Sequence, residues 1–229
     1  MNGTRAPCFV VSPHLDDAVF SCGMLLATHP ESVVCTVFAG EPPGRRETPW
    51  DRACGFADSR QAMQTRWNED RRALEHCGAR AVHLRFLDSQ YAPLPAADDV
   101  AAAISDAWRR SGLATLVVPL GLYHSDHLLT GDACCRLLRS GRPGSCIAYE
   151  DALYRTRPGI VRDKRDALAR AGVTMSSLPD DALGARSGGA AAAVKRRAVR
   201  AYRTQLRAFN DAYPYDLAEP ERFWILAAM

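Results

Sequence analysis

Two rhythms of apolar and polar positions alternate along the first two-thirds of the chain. The run "PCFVVS" (7–12) has the unbroken apolar character of a strand buried on both faces, and "SVVCTVFAG" (32–40), "AVHLRFL" (81–87), "ATLVVPL" (114–120) and "SCIAYED" (145–151) repeat it. Between these runs lie "AVFSCGMLLATH" (18–29), "DSRQAMQTRWNEDRRALEHCGA" (58–79), "DDVAAAISDAWRRSG" (98–112) and "HLLTGDACCRLLRSG" (127–141), whose length and apolar spacing are helical. Gly78 and Gly112 stand where a C-capping glycine ends a helix. Strands alternating with helices predict a mostly parallel sheet covered on both faces. Ligands of such sheets bind at the carboxyl ends of the strands, near a switch in strand order.

The pattern is less regular elsewhere. Residues 41–56 are rich in Pro, Gly and Arg and read as a long loop on the binding edge. In 156–190, "RDKRDALARAG" reads as a short helix and "SSLPDDALGARSGG" as irregular chain. "GGAAAAVKRRAVRAYRTQLRAFN" reads as one helix, with Val194, Ala198, Tyr202, Leu206 and Phe209 on its apolar stripe. No internal repeat is visible. The expectation is a single domain over 1–229, with a core over 7–155 and a C-terminal lobe over 156–229.

Composition narrows the class. With 229 residues, 47% of them hydrophobic and 24% charged, the chain can build one sizeable core. From Asp151 onward Lys and Arg outnumber Asp and Glu by five, against a net −2 over the first 150 residues. That asymmetry is too small to argue for nucleic acid as a partner. The basic run Lys195, Arg196, Arg197, Arg200, Arg203 and Arg207 reads as a solvated helix face, with attraction of an acidic or nucleotide-bearing substrate as the alternative. Eight cysteines without a C-x-x-C pair, several in apolar runs, read as reduced and mostly buried thiols, Cys22 among them. No signal-peptide pattern and no apolar run of membrane-spanning length is seen, so a cytoplasmic protein without membrane insertion is expected.

Candidate chemistry gathers at two strand ends. "PHLDD" follows the first strand and brings His14, Asp16 and Asp17, while "YHSDH" follows the fourth and brings His124, Asp126 and His127. Half of the six histidines of the chain lie in these clusters. Two His nitrogens and a carboxylate are a common ligand set for a catalytic metal with open positions. The plain alternatives are capping of the first helix by Asp16 or Asp17 and, at the second motif, a capped helix start with a surface histidine.

The two motifs together resemble those of the PIG-L (LmbE-like) family of metal-dependent N-deacetylases, with "HLDDA" in place of a His-Pro-Asp-Asp-Glu motif and "HSDH" as its His-x-Asp-His motif. "RWNED", "FLD" and "KRRAVRAYRTQ" resemble further family segments, so the likeness runs over roughly residues 8–210. It implies a Rossmann-like three-layer α/β sandwich with the active site at the carboxyl ends of the strands. It also implies His14, Asp17 and His127 as metal ligands, Asp16 as general base, and His124 as oxyanion stabiliser or acid. Asp126 is then expected to fix the protonation of a flanking histidine. The implied cofactor is a divalent metal, zinc by default with ferrous iron as the alternative. The implied substrate is a small N-acetylated amino sugar or its conjugate, and the question of a homo-oligomer stays open. Two departures stand out: Ala18 replaces a glutamate, removing a charge from the helix start, and Leu122 replaces a tyrosine found in some relatives.

Several residues carry two readings. Arg66 reads as a substrate ligand or as part of a solvated helix face. Asp88 and Asp151, at strand ends, read as binders of sugar hydroxyls or as turn residues. Trp50 and Tyr91 read as stacking platforms for a sugar, or as packing. A non-catalytic relative that holds a sugar or nucleotide in a degenerate site is the competing function. A dinucleotide-binding oxidoreductase is excluded, because no G-x-G-x-x-G follows the first strand.

Overall fold

The computed structural model describes residues 5–141, 143–178, 183, 188–210 and 212–229. Its strands are β1 (Cys8–Ser12), β2 (Val33–Thr36), β3 (Arg80–His83), β4 (Thr115–Pro119), β5 (Ser145–Tyr149), β6 (Val173–Ser177) and β7 (Phe223–Ala228). They form one sheet in the order β3-β2-β1-β4-β5-β7-β6. The pairs from β3 across to β5 are parallel, and β7 runs antiparallel to both β5 and β6. The helices are α1 (Asp17–Thr28), α2 (Pro49–Ala53), α3 (Ser59–Cys77), α4 (Ala97–Ser111), α5 (Ser125–Arg139), α6 (Ile160–Arg170), α7 (Gly188–Ala201) and α8 (Arg203–Ala208).

Side chains on successive strand residues point to opposite faces. On β1, Val10 therefore packs with α1, α3 and α7, whereas Phe9 and Val11 pack with α4, α5 and α6. Two cores result, one on each side of the sheet, which gives the Rossmann-like three-layer sandwich. Gly78 and Gly112 cap their helices in the left-handed conformation, as their positions predict.

Three elements depart from the sequence reading. Strands β6 and β7 extend the sheet where no strand was expected. The loop over 41–56 contains the short helix α2, started by Thr48, whose hydroxyl accepts from the Asp51 N–H. The long basic helix is broken at Tyr202, which leaves helical geometry (φ −82°, ψ 57°) and donates its hydroxyl to Asp70 at 2.8 Å. Lys195 of that helix is not solvated: it is buried and ion-paired to Glu221 at 2.9 Å. Most of the stretch expected to be irregular, 179–182 and 184–187, lies outside the described residues.

The same Glu221 holds α1, whose backbone is non-helical at Cys22 (φ −134°, ψ 24°). Beyond this break the N–H groups of Met24 and Leu25 donate to the Glu221 carboxylate at 2.8 and 3.1 Å. Gly23 makes room for this: a Cβ there would lie 2.7 Å from Lys195 Cγ.

Gly121, just after β4, is constrained in two ways. Its φ is +78°, and a Cβ would lie 2.7 Å from the backbone oxygen of His127. Gly121→Ala therefore forces a backbone shift as well as a left-handed alanine. We expect a loss of about 2–4 kcal/mol in urea unfolding, from overpacking and backbone strain combined. A midpoint equal to the parent protein would contradict this close approach.

Candidate metal centre

The order of the strands reverses between β1 and β4, and the two motifs leave the sheet at that switch point. Ser12, the last residue of β1, shapes the first turn. Its hydroxyl donates to the His14 carbonyl at 2.6 Å and accepts from the Ala18 N–H at 3.0 Å. Asp17 Oδ2 accepts from the His14 N–H at 2.8 Å. Asp16, at the N-cap position, makes no side-chain capping bond. The helix start is thus served by Ser12, and the Asp16 carboxylate is left to face the cavity. Ala18 is buried in the core beneath, so the missing glutamate is a packed apolar position here.

The second turn is held by Gly121, whose N–H donates to Asp151 Oδ2 at 2.9 Å. Tyr123 then takes a positive φ of 61°, and the His124 N–H donates to the Leu122 carbonyl at 2.7 Å. His124 does cap α5, its Nδ1 accepting from the Asp126 N–H at 3.3 Å, but its ring also lines the cavity. The proton of a neutral His124 therefore sits on Nε2.

His14, Asp17 and His127 converge. His14 Nδ1 and His127 Nε2 lie 3.2 and 3.1 Å from the same oxygen, Asp17 Oδ2. The other nitrogen of each ring is bonded to a carboxylate: His14 Nε2 to Asp126 at 2.9 Å and His127 Nδ1 to Asp151 at 2.6 Å. The N–H protons belong on those outer bonds, which turns two lone pairs toward a carboxylate oxygen. His127 Nε2 is buried, and among the described residues it faces the Asp17 carboxylate without the alignment of a hydrogen bond. Three acceptors facing one another need positive charge between them, and the donor set suits a divalent cation. His14, His124 and Asp126 form a second group within ligand distance that shares His14.

Protonation shows the same need for positive charge at this point, which protons on the two rings can meet in place of a cation. Burial opposes charge on His14, but its bonds to Asp126 and Asp17 hold its pKa well above the usual imidazole range. Burial likewise opposes charge on His127, but Asp17 and Asp151 raise it to about 9. Asp17 stays well below the carboxylate range despite its burial, because His127 and His14 face it. Asp126 is lowered to about 2 against its burial, chiefly by its bond to His14. Asp16 is pushed the other way, to about 7, by burial and by the charge of Asp17. The pKa of His124 is lowered by burial and then by the positive charge of His14. Its ring is thus a neutral donor, in contrast to the imidazolium that oxyanion stabilisation by charge would call for.

The cavity over these groups has a volume of about 440 Å³. Asp88 lines it and also closes a turn, accepting from the Gln90 N–H and side-chain amide at 2.9 Å each. Arg66 lines it too, yet it is not a solvated residue: it is 4% exposed and ion-paired to Asp51 at 2.8 Å. Tyr91 is packed inside, donating to Asp51 at 2.6 Å. Trp50, 41% exposed, forms an edge-to-face pair with Phe209 on the outer wall. Asp126 is fully buried, and its partner is His14 rather than a flanking histidine; Ser89 N–H also donates to it at 3.1 Å. Its carboxylate therefore meets the cavity only through the ring of His14. Asp151 has the same relation to His127, a role that sequence reasoning left open between turn and sugar binding.

A Rossmann-like sheet with a His/Asp/His ligand set at its switch point defines a class of α/β metal-site proteins. The model of the family described as PIG-L, GlcNAc-PI de-N-acetylase, matches residues 9–138, and the chain belongs to this family. No curated protein sequence matches it. A deacetylase of teicoplanin biosynthesis, solved as a complex, superposes with a TM-score of 0.77 at 24% identity over 98% of this chain and 99% of that one. A zinc-inhibited form of the teicoplanin deacetylase matches with the same TM-score at 22% identity and the same coverage. The A40926 pseudoaglycone deacetylase gives 0.69 at 24% identity, over 98% of both chains. A 4-carboxy-2-hydroxymuconate hydratase from Pseudomonas putida gives 0.51 at 18% identity, over 98% and 96%. At these identities the likeness establishes the fold, and the fold hosts more than one reaction.

Proposed function

We propose that this protein is a metal-dependent hydrolase that removes the acetyl group from the amide nitrogen of an N-acetylated amino sugar or its conjugate. His14, Asp17 and His127 hold the metal in this reading, Asp16 is the general base and His124 a hydrogen-bond donor to the reacting acyl group. The observation that carries it is the convergence of His14 Nδ1 and the buried His127 Nε2 on one oxygen of Asp17, each ring set by a carboxylate on its other side. When bound, a divalent metal supplies a Lewis acid that acidifies water and draws charge from a carbonyl oxygen.

The remaining work falls to side chains. Asp16 is the carboxylate without a histidine partner, and a pKa of about 7 lets it take a proton from the attacking water and return it to the leaving amine. His124 offers Nε2–H to the oxyanion as the acyl carbon becomes tetrahedral. Asp126 and Asp151 fix the two ligand rings. Asp88 binds a sugar hydroxyl, and Arg66, held by Asp51, adds positive charge on the Asp16 side of the cavity. The volume suits a sugar. Trp50 and Phe209 at its outer wall suit an amino sugar carried on a larger apolar group. Zinc and ferrous iron both fit a His/His/carboxylate set. The eight free cysteines, seven of them buried, accord with a cytoplasmic setting. Among the described residues no helix is long and apolar enough to cross a membrane.

Chelation tests this reading. Acetate release from a panel of N-acetyl sugars, sugar nucleotides and sugar conjugates should fall to background in the metal-stripped protein. It should return on adding zinc or ferrous iron, and the two arms choose the metal. A folded protein that never takes up stoichiometric metal and releases no acetate would instead be a binder with a degenerate site.

A further inference from the structure

The loop after β5 presents one group that the reading above leaves unused. Tyr154 lines the cavity, with its ring edge-on to His127 at 4.9 Å and stacked on His124 at 6.4 Å. Its hydroxyl makes no hydrogen bond with any described residue. The backbone on either side is fixed by unusual means. Leu153 has a φ of +71°, a left-handed conformation that a leucine rarely adopts and that must be held by its surroundings. That strain is held in place by the Leu153 N–H, which donates to Asp216 at 2.7 Å. On the other side Arg155 is buried, its guanidinium donating to the Asp216 carboxylate at 2.9 Å and to the Pro220 carbonyl at 2.9 Å. A loop clamped at both flanks around an unpaired phenol keeps that phenol in one place.

We propose that Tyr154 is a further catalytic residue, whose hydroxyl donates a hydrogen bond to the acyl oxygen as the amide carbon becomes tetrahedral. The inference rests on the deacetylase reading. The ring lies edge-on to His127 and parallel to His124 across the cavity, and the clamped loop sets it there before substrate arrives, which is what makes a donor effective in the transition state. Leu122 and Tyr123 do not compete for this role: Leu122 is buried, and Tyr123 is 53% exposed with the Arg157 guanidinium 3.4 Å from its ring centroid.

Tyr154→Phe tests it, because the ring and its packing remain. The panel substrate that the parent protein hydrolyses fastest is the probe, with metal content and thermal melting measured alongside. We expect kcat to fall about a hundredfold, the lower end of the loss on removing one oxyanion donor, with KM, bound metal and melting unchanged. An unchanged kcat overturns the proposal. So does a raised KM at constant kcat, which would make the hydroxyl a substrate anchor, and so does a loss of metal or of melting temperature, which would make it structural. A parent protein that releases no acetate from any panel member overturns the deacetylase reading itself and the role of Tyr154 with it.

Discussion

Asp16→Asn is expected to lower kcat by about 10²–10⁴-fold while leaving bound metal unchanged, the range set by general-base catalysis. The amide fills the same space but cannot accept a proton from water. Asp16 has no capping bond to lose, since the turn is closed by Ser12 and Asp17. The substitution also removes a negative charge beside Asp17, so the ligand cluster has no electrostatic reason to come apart. Metal analysis and steady-state kinetics on the same preparation decide it. A variant that retained parental kcat would move the base elsewhere, and one that lost its metal would make Asp16 a ligand.

His127→Ala should give the complementary outcome, with no stoichiometric metal and acetate release at background. The side chain is 1% exposed, and its removal leaves Asp151 buried with only the Gly121 N–H for a partner. Unpaired buried carboxylates are costly, so unfolding by urea should show a loss of about 3–5 kcal/mol as well. Asp151→Asn separates the two effects: the amide oxygen can still accept from Nδ1, but its NH2 then faces the Gly121 N–H, so the loss of stability should be the smaller one of a single unmade buried hydrogen bond, about 1–3 kcal/mol, while metal affinity falls about 10–100-fold as is usual for an outer-shell partner. Unaltered metal binding in His127→Ala would remove this histidine from the site.

The two halves of the centre were legible because each motif follows a strand of the parallel core, and apolar runs locate such strands well. The outer partners were not. Asp126 reaches back to His14, 112 positions away in sequence, and Asp151 reaches His127 across the β4–β5 edge. Nothing local distinguishes a carboxylate that orients a ring from one that ends a turn. Of the two readings of Arg66, the solvated face fails for a similar reason, since its partner Asp51 lies in a loop without apolar periodicity. Strand β7, "FWILAA", is a short apolar run that periodicity alone cannot separate from a helical segment. Its extended form is imposed by pairing with β5 and β6. The break at Tyr202 is equally non-local: the apolar stripe continues through it, but the phenol is drawn to Asp70 on α3.

The Glu221 carboxylate gives the far end of the chain a hold on the reaction centre. The helix that begins at Asp17 is in effect two short rods, and the second is latched by a residue more than 190 positions downstream. Trimming the chain ahead of that latch would free the rod, leave the Lys195 ammonium stranded in the interior and loosen the turn that carries Asp16 and Asp17. The turn that carries Asp16 and Asp17 thus leans on a carboxylate from the segment that leads into β7 as well as on its own bonds.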